Sequence, residues 1–157
     1  MPRSSSVEVS SKVRQPRMSF GPAVLLVADD PVTSVPAFHA LQAAGYEVKF
    51  IRLGRHNGSA PGKDLIRDPV ELVVIDATRR AREAMTLLER LRTADNSLPV
   101  VVIAGGGTDI REEASHLGAE AVVDSPLDPS RLGSLAESMV PVLREFDVDE
   151  TRGYLFH

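Results

Sequence analysis

The chain has 157 residues, a net charge of −4, 43% apolar and 4% aromatic residues, and no Cys. That length suits one domain with a real core built from Val, Leu, Ile and Ala. The composition excludes disulfides, thiolate metal sites and a Cys nucleophile, and it argues against a polyanion-binding surface on the body of the domain.

Residues 1–20, MPRSSSVEVSSKVRQPRMSF, are Ser-rich, weakly basic and without periodicity, so they read as a disordered N-terminal arm. They carry no apolar core of a signal peptide, and no segment of the chain approaches the roughly 18–20 apolar residues of a membrane span. The expectation is a cytoplasmic protein without membrane contact.

Five short apolar runs follow: AVLLVA (23–28), EVKFI (47–51), ELVVID (71–76), PVVVIA (99–104) and EAVVD (120–124). The first, third and fourth are nearly continuous Val, Leu and Ile, as in strands covered on both faces. The second alternates, as an edge strand does. Helical periodicity fills most of the gaps. In residues 33–44 it places Val35, Phe38, Leu41 and Gln42 together before a stop at Gly45. In 81–94 it places Ala84, Leu87, Leu88 and Leu91 on one face. A helix over 108–117 would open with Thr108 as N-cap and end at Gly118. One over 128–144 would start at Asp128-Pro129, present Leu132, Leu135, Ala136, Met139 and Leu143, and be kinked or shortened by Pro141. Residues 52–69 hold too many Gly and Pro breakers for more than a turn or two of helix. The pattern predicts an α/β domain over residues 21–145, a doubly wound five-stranded parallel sheet of order 2-1-3-4-5 with helices on both faces, followed by a tail or linker at 146–157.

In such sheets ligands gather beyond the carboxyl ends of the strands. There the first run delivers Asp29 and Asp30, the third Asp76, the fourth Ala104 followed by three glycines at 105–107, and the fifth Asp124, Ser125 and Pro126. Carboxylates brought so close repel and need a divalent cation, a shared proton or nearby Arg. An all-oxygen site of this kind suits Mg²⁺ on Asp29, Asp30 and Asp76. The other reading is that one of the first pair caps the turn at 31–33. Arg79, Arg80 and Arg82, set against the dipole at a helix start, offer a second way to neutralise the acids. The glycine run lacks the Lys and Ser/Thr of a P-loop and reads as a flexible loop. The four His are scattered without metal-ligand spacing, and no hydrolase triad is supported.

From about residue 23 to 144 the chain resembles the receiver domain of bacterial response regulators. LLVADD, LVVID, LPVVVIAG and LGAEAVVDSPLD carry the resemblance through their order and spacing. In that family a strand-1 acid pair binds Mg²⁺ and an Asp ending strand 3 accepts phosphate from a sensor kinase. A Thr or Ser ending strand 4 and a Lys before Pro on strand 5 hold the phosphoryl oxygens, and an aromatic three residues before that Lys is the readout. The resemblance therefore assigns the metal positions to Asp29, Asp30 and Asp76, with Asp76 also the phosphoacceptor position. The switch positions are degenerate: Ala104 for the hydroxyl, Ser125 for the Lys and Val122 for the aromatic.

The resulting expectation is an atypical, phosphorylation-independent receiver and not an enzyme, with Mg²⁺ as its one candidate cofactor. It would act in two-component signal transduction as a protein-interaction module. Its partners would be a signalling protein and a second copy, the homodimer forming through the helix over 108–117, the fifth strand and the helix over 128–144. The alternatives are a weakly active phosphoreceiver using Asp76 and Mg²⁺, or a small-ligand sensor using the pocket vacated above Ala104 and Ser125. The acidic and then aromatic tail leaves no room for a helix-turn-helix, so this chain alone is not expected to bind nucleic acid.

Overall fold

A computed structural model describes residues 21–53, 69–106 and 108–142. The expected N-terminal arm, the C-terminal tail, Leu143 and most of the breaker-rich stretch lie outside them, as do the side chain of Thr108 and hence its expected capping role.

Five parallel strands, β1 (Ala23–Ala28), β2 (Glu47–Arg52), β3 (Leu72–Asp76), β4 (Val100–Ala104) and β5 (Ala121–Asp124), form one sheet. The order is β2-β1-β3-β4-β5, which is the predicted 2-1-3-4-5 winding. The described helices are α1 (Val35–Ala43), α2 (Ala81–Ala94), α3 (Thr108–His116) and α4 (Pro129–Met139). β3 and β4 are buried along their whole length, whereas the edge strand β2 is exposed at both ends and half-buried between.

Strand alternation divides the interior into two layers. Leu25, Val27, Val73, Ile75, Val100 and Val102 meet Leu87, Leu88 and Leu91 of α2 and Ala114 of α3. Val24, Leu26, Leu72, Val74, Val101 and Ile103 meet Ala37 and Leu41 of α1 and Leu132 and Ala136 of α4. Each such Val, Leu or Ile side chain, taken fully out of water, contributes about 1.5–3 kcal/mol before conformational entropy is charged against it.

α2 matches its predicted limits and buries its predicted face. α1 differs. Its inward residues are Ala37, Ala40 and Leu41, while Val35 is exposed at the first turn and Gln42 is exposed. The reason is its close packing on α4. A Cβ added to Gly133 would lie 3.5 Å from Ala44 Cβ and 3.8 Å from Ala40 O, so small residues line the contact. α4 opens as predicted, with Asp128 Oδ1 accepting from Ser130 N at 3.1 Å and Pro129 in the first turn. It stops at Met139. Val140 is extended, as a residue before proline prefers, so Pro141 shortens the helix instead of kinking it. Gly45 and Gly118 both take positive φ (105° and 104°) where helices were expected to stop.

Two side chains tie elements together, one in each layer. Tyr46 Oη donates to Val140 O at 2.5 Å, across 94 residues of sequence. Arg92, mostly buried, donates to Asn96 O (2.6 Å) and Leu98 O and lies against Gly118, whose Cβ position is 2.9 Å from Arg92 Cδ. No described helix is long and apolar enough to cross a membrane.

Candidate functional site

Because the strands are parallel, β1, β3, β4 and β5 bring Asp29, Asp30, Asp76, Ala104 and Ser125 to one edge. The register fixes their levels: Asp76 pairs with Ile103 and Ala104 with Asp124. Ala77 N donates to Ile103 O (2.8 Å) and Ser125 N to Ala104 O (2.9 Å), which continues the ladder past the strand ends.

The acids do not converge on a common centre. Asp29 is bound by two guanidiniums, with Arg80 Nε 2.6 Å from Oδ1 and Arg79 Nε 3.2 Å from Oδ2. Arg52 Nε donates to its backbone carbonyl at 3.1 Å. The hydrogen bond to Asp29, with the charges of Asp29 and Glu83, raises the Arg80 guanidinium above its ordinary pKa. Asp30 turns to its own loop, where Oδ1 accepts from Val32 N at 2.9 Å. It is the turn-capping member of the pair, for the ordinary reason that an Asp side chain mimics a backbone turn.

Asp76 is 7% exposed. Its Oδ1 accepts both from Thr78 N (3.0 Å) and from Thr78 Oγ1 (2.6 Å). Hydrogen bonds to a carboxylate are stronger than neutral ones and hold the loop against the strand end. The chain after β4 closes on the same residue, since a Cβ on Gly105 would stand 3.3 Å from both Cα and O of Thr78. Sequence reasoning passed over Thr78. The signal was there in Asp76-Ala77-Thr78, an acid followed two residues on by a hydroxyl that can donate back to it.

Further along the edge, Asp124 Oδ1 receives Arg111 Nη2 of α3 at 2.5 Å. This pairing too was missed, because thirteen residues separate the partners and only the β5–α3 packing joins them. Arg82, grouped with Arg79 and Arg80 in the sequence, goes elsewhere, to Glu113 of α3 at 3.8 Å.

Each position that the resemblance assigns to the switch has a clear place. Ala104 is fully buried. Val122 is half-buried against the α2–α3 layer, where it packs as an aliphatic residue. Ser125 is exposed, and its peptide bond to Pro126 is cis. Two shallow concavities lie on the surface, one of about 520 Å³ along Asp29, Arg79, Arg80 and Arg82, the other of about 580 Å³ along Arg111, Glu112, Ser115 and His116 of α3.

Among the described residues no group of three or more His, Asp or Glu side chains is arranged to hold a metal ion. A hard cation such as Mg²⁺ needs free oxygen ligands in near-octahedral array. Here both oxygens of Asp29 and one each of Asp30 and Asp76 are already engaged within the protein. The expected set of Asp29, Asp30 and Asp76 therefore does not fit a resident Mg²⁺ as placed, because Asp29 has no oxygen outside its arginine contacts.

No family model matches the chain. Over 129 residues it is 29% identical to the transcriptional regulatory protein AruR of Pseudomonas aeruginosa, covering 81% of this chain and 52% of that protein, so it spans about half the length of that relative. Its structure is similar to that of a response regulator from Thermotoga maritima, with a TM-score of 0.62 and 20% identity over 75% of this chain and 96% of that one. A signal receiver domain of a two-component histidine kinase from Clostridium thermocellum gives a TM-score of 0.64 and 19% identity over the same shares. The fold is the receiver fold.

Proposed function

We propose that this chain is an atypical receiver, a non-enzymatic, cytoplasmic module of two-component signalling that acts through protein contacts without phosphorylation of Asp76. One observation carries the reading: every carboxylate at the strand ends already has a partner within the chain, in Arg79 and Arg80, Val32 N, Thr78 and Arg111. Thr78 holds Asp76 Oδ1, so a phosphoryl group on Asp76 would sit on the other oxygen, Oδ2. It would then meet neither a hydroxyl at Ala104 nor an ammonium at Ser125, and so lack charge-assisted hydrogen bonds of about 1.5–3 kcal/mol. Without contacts that differ between two states, a modification shifts no equilibrium.

The surface proposed for self-association is the face of α3, β5 and α4. β5 is a sheet edge, and the flanking helices expose Glu112, His116, Arg131 and Ser134, polar groups of both signs suited to an isologous contact. The other proposed partner is a signalling protein. Nucleic acid is not among the partners proposed for this chain alone.

The test is an NMR titration with Mg²⁺ and then beryllofluoride, alongside sedimentation of the wild type and Asp76→Asn. The reading expects no shifts at Ala104 or Val122 with the phosphoryl mimic and an unchanged dimer fraction in the variant. Saturable shifts spreading from Asp76 to Ala104, Val122 and α3 would establish a working phosphoreceiver instead.

A further inference from the structure

The receiver reading leaves open what balances the negative strand ends if a metal does not. Asp29 stands at the end of β1 with each carboxylate oxygen facing a different guanidinium, at 2.6 and 3.2 Å. Both arginines precede Ala81, the first residue of α2, where the helix dipole opposes positive charge. Placed there, the two cations lose the favourable field they would have at a helix C-terminus, and Asp29 is the carboxylate they share. Arg80 has one further anion, Glu83, at 3.4 Å. Arg82, two residues on, points its charge to Glu113 of α3 and serves as an internal control for position.

We infer that Arg79 and Arg80 are this chain's resident counter-ions at the sheet edge, standing where a divalent cation would otherwise be drawn, and that they keep the edge closed to Mg²⁺. The inference rests on the receiver reading and deepens it by naming what locks the site. A cation approaching Asp29 must displace two guanidiniums and face their charge. Removing them takes away two positive charges within a few Å of the carboxylate and frees both of its oxygens.

The experiment compares the wild-type chain, Arg79→Ala/Arg80→Ala and Arg82→Ala. Mg²⁺ binding is followed by calorimetry, and Mn²⁺ is used as a paramagnetic probe of the amides of residues 28–30 and 76–78. Circular dichroism and the melting temperature establish that each variant is folded, with Arg80→Gln as the milder replacement should the double variant fail. Saturable Mg²⁺ binding is expected in the double variant, at least about tenfold tighter than in the wild type, with selective Mn²⁺ broadening at Asp29. Arg82→Ala should behave as the wild type does. If neither the wild type nor the arginine variants bind, or if Arg82→Ala gains as much as the double variant, the counter-ion assignment falls and the receiver reading stands. Wild-type binding as tight as the variant's, with no response to beryllofluoride, has the same meaning. A wild type that binds Mg²⁺ and then responds to beryllofluoride at Ala104 and Val122 overturns the phosphorylation-independent reading itself.

Discussion

The two halves of the strand-end edge are built in opposite ways. On the β1–β3 side stand the acids Asp29, Asp30 and Asp76, each with partners: two arginines, a backbone amide and Thr78. On the β4–β5 side stand a buried methyl at Ala104 and a small exposed hydroxyl at Ser125. The difference teaches that an acid at a strand end does not by itself mark a reaction. A carboxylate's chemistry depends on what its oxygens are already doing.

The largest effect should come from the β4–β5 side. Ala104→Thr restores a hydroxyl, but it forces a branched polar group into a position without accessible surface. Its expected cost is about 1–3 kcal/mol in urea denaturation. A neutral result would mean that the two halves are less different than they look, with room for the hydroxyl still present.

Next is Thr78→Ala, which leaves the buried Asp76 oxygen without its hydroxyl donor and should cost about 1–2 kcal/mol, with Thr78→Ser recovering most of it. This sharpens the comparison by measuring how firmly the kept acid is held. Asp29→Ala should lower the melting temperature less than either, because its arginine partners are about half exposed, and the loss should shrink in 1 M salt.

The smallest effect lies away from the edge and calibrates it. The Ser97 hydroxyl and amide hold the Asp95 carboxyl below the usual carboxylate range. Its contribution to stability is therefore present at neutral pH and lost as pH falls through that lowered value. Ser97→Ala should lower the neutral plateau of the stability–pH curve slightly, leave stability near pH 2 unchanged and so flatten the acid limb, as read by thermal melts between pH 2 and 7.

Much of this architecture was legible in the residues. The runs of Val, Leu and Ile announced buried parallel strands, and Leu87, Leu88 and Leu91 announced the inner face of α2. Asp128-Pro129 marked a helix start and Pro141 a helix end. The strand-end acids could be located from the strand pattern, and Ala104, Val122 and Ser125 from the resemblance to receiver domains. Their partners could not. Periodicity reports which face a residue occupies, and it carries nothing about which of three neighbouring arginines reaches across to β1 and which crosses to α3. The inner face of α1 was misjudged for a related reason, since its small residues answer to Gly133, about ninety residues away on another helix.

The Tyr46–Val140 bond has a mechanical consequence. Tyr46 lies just before β2, at the end of the sheet where the strands begin, whereas the acids lie where they finish. Val142 packs there as well, its Cγ1 3.0 Å from the Cβ position of Gly45. The strands separate the two ends by about 15–20 Å. A pull on the chain beyond α4 would therefore be borne first by the corner between α1 and β2, and the acid edge would feel it only through the length of the sheet. Whatever load is attached at that point, the anchor and the charged edge are separate fixtures on a stiff plate.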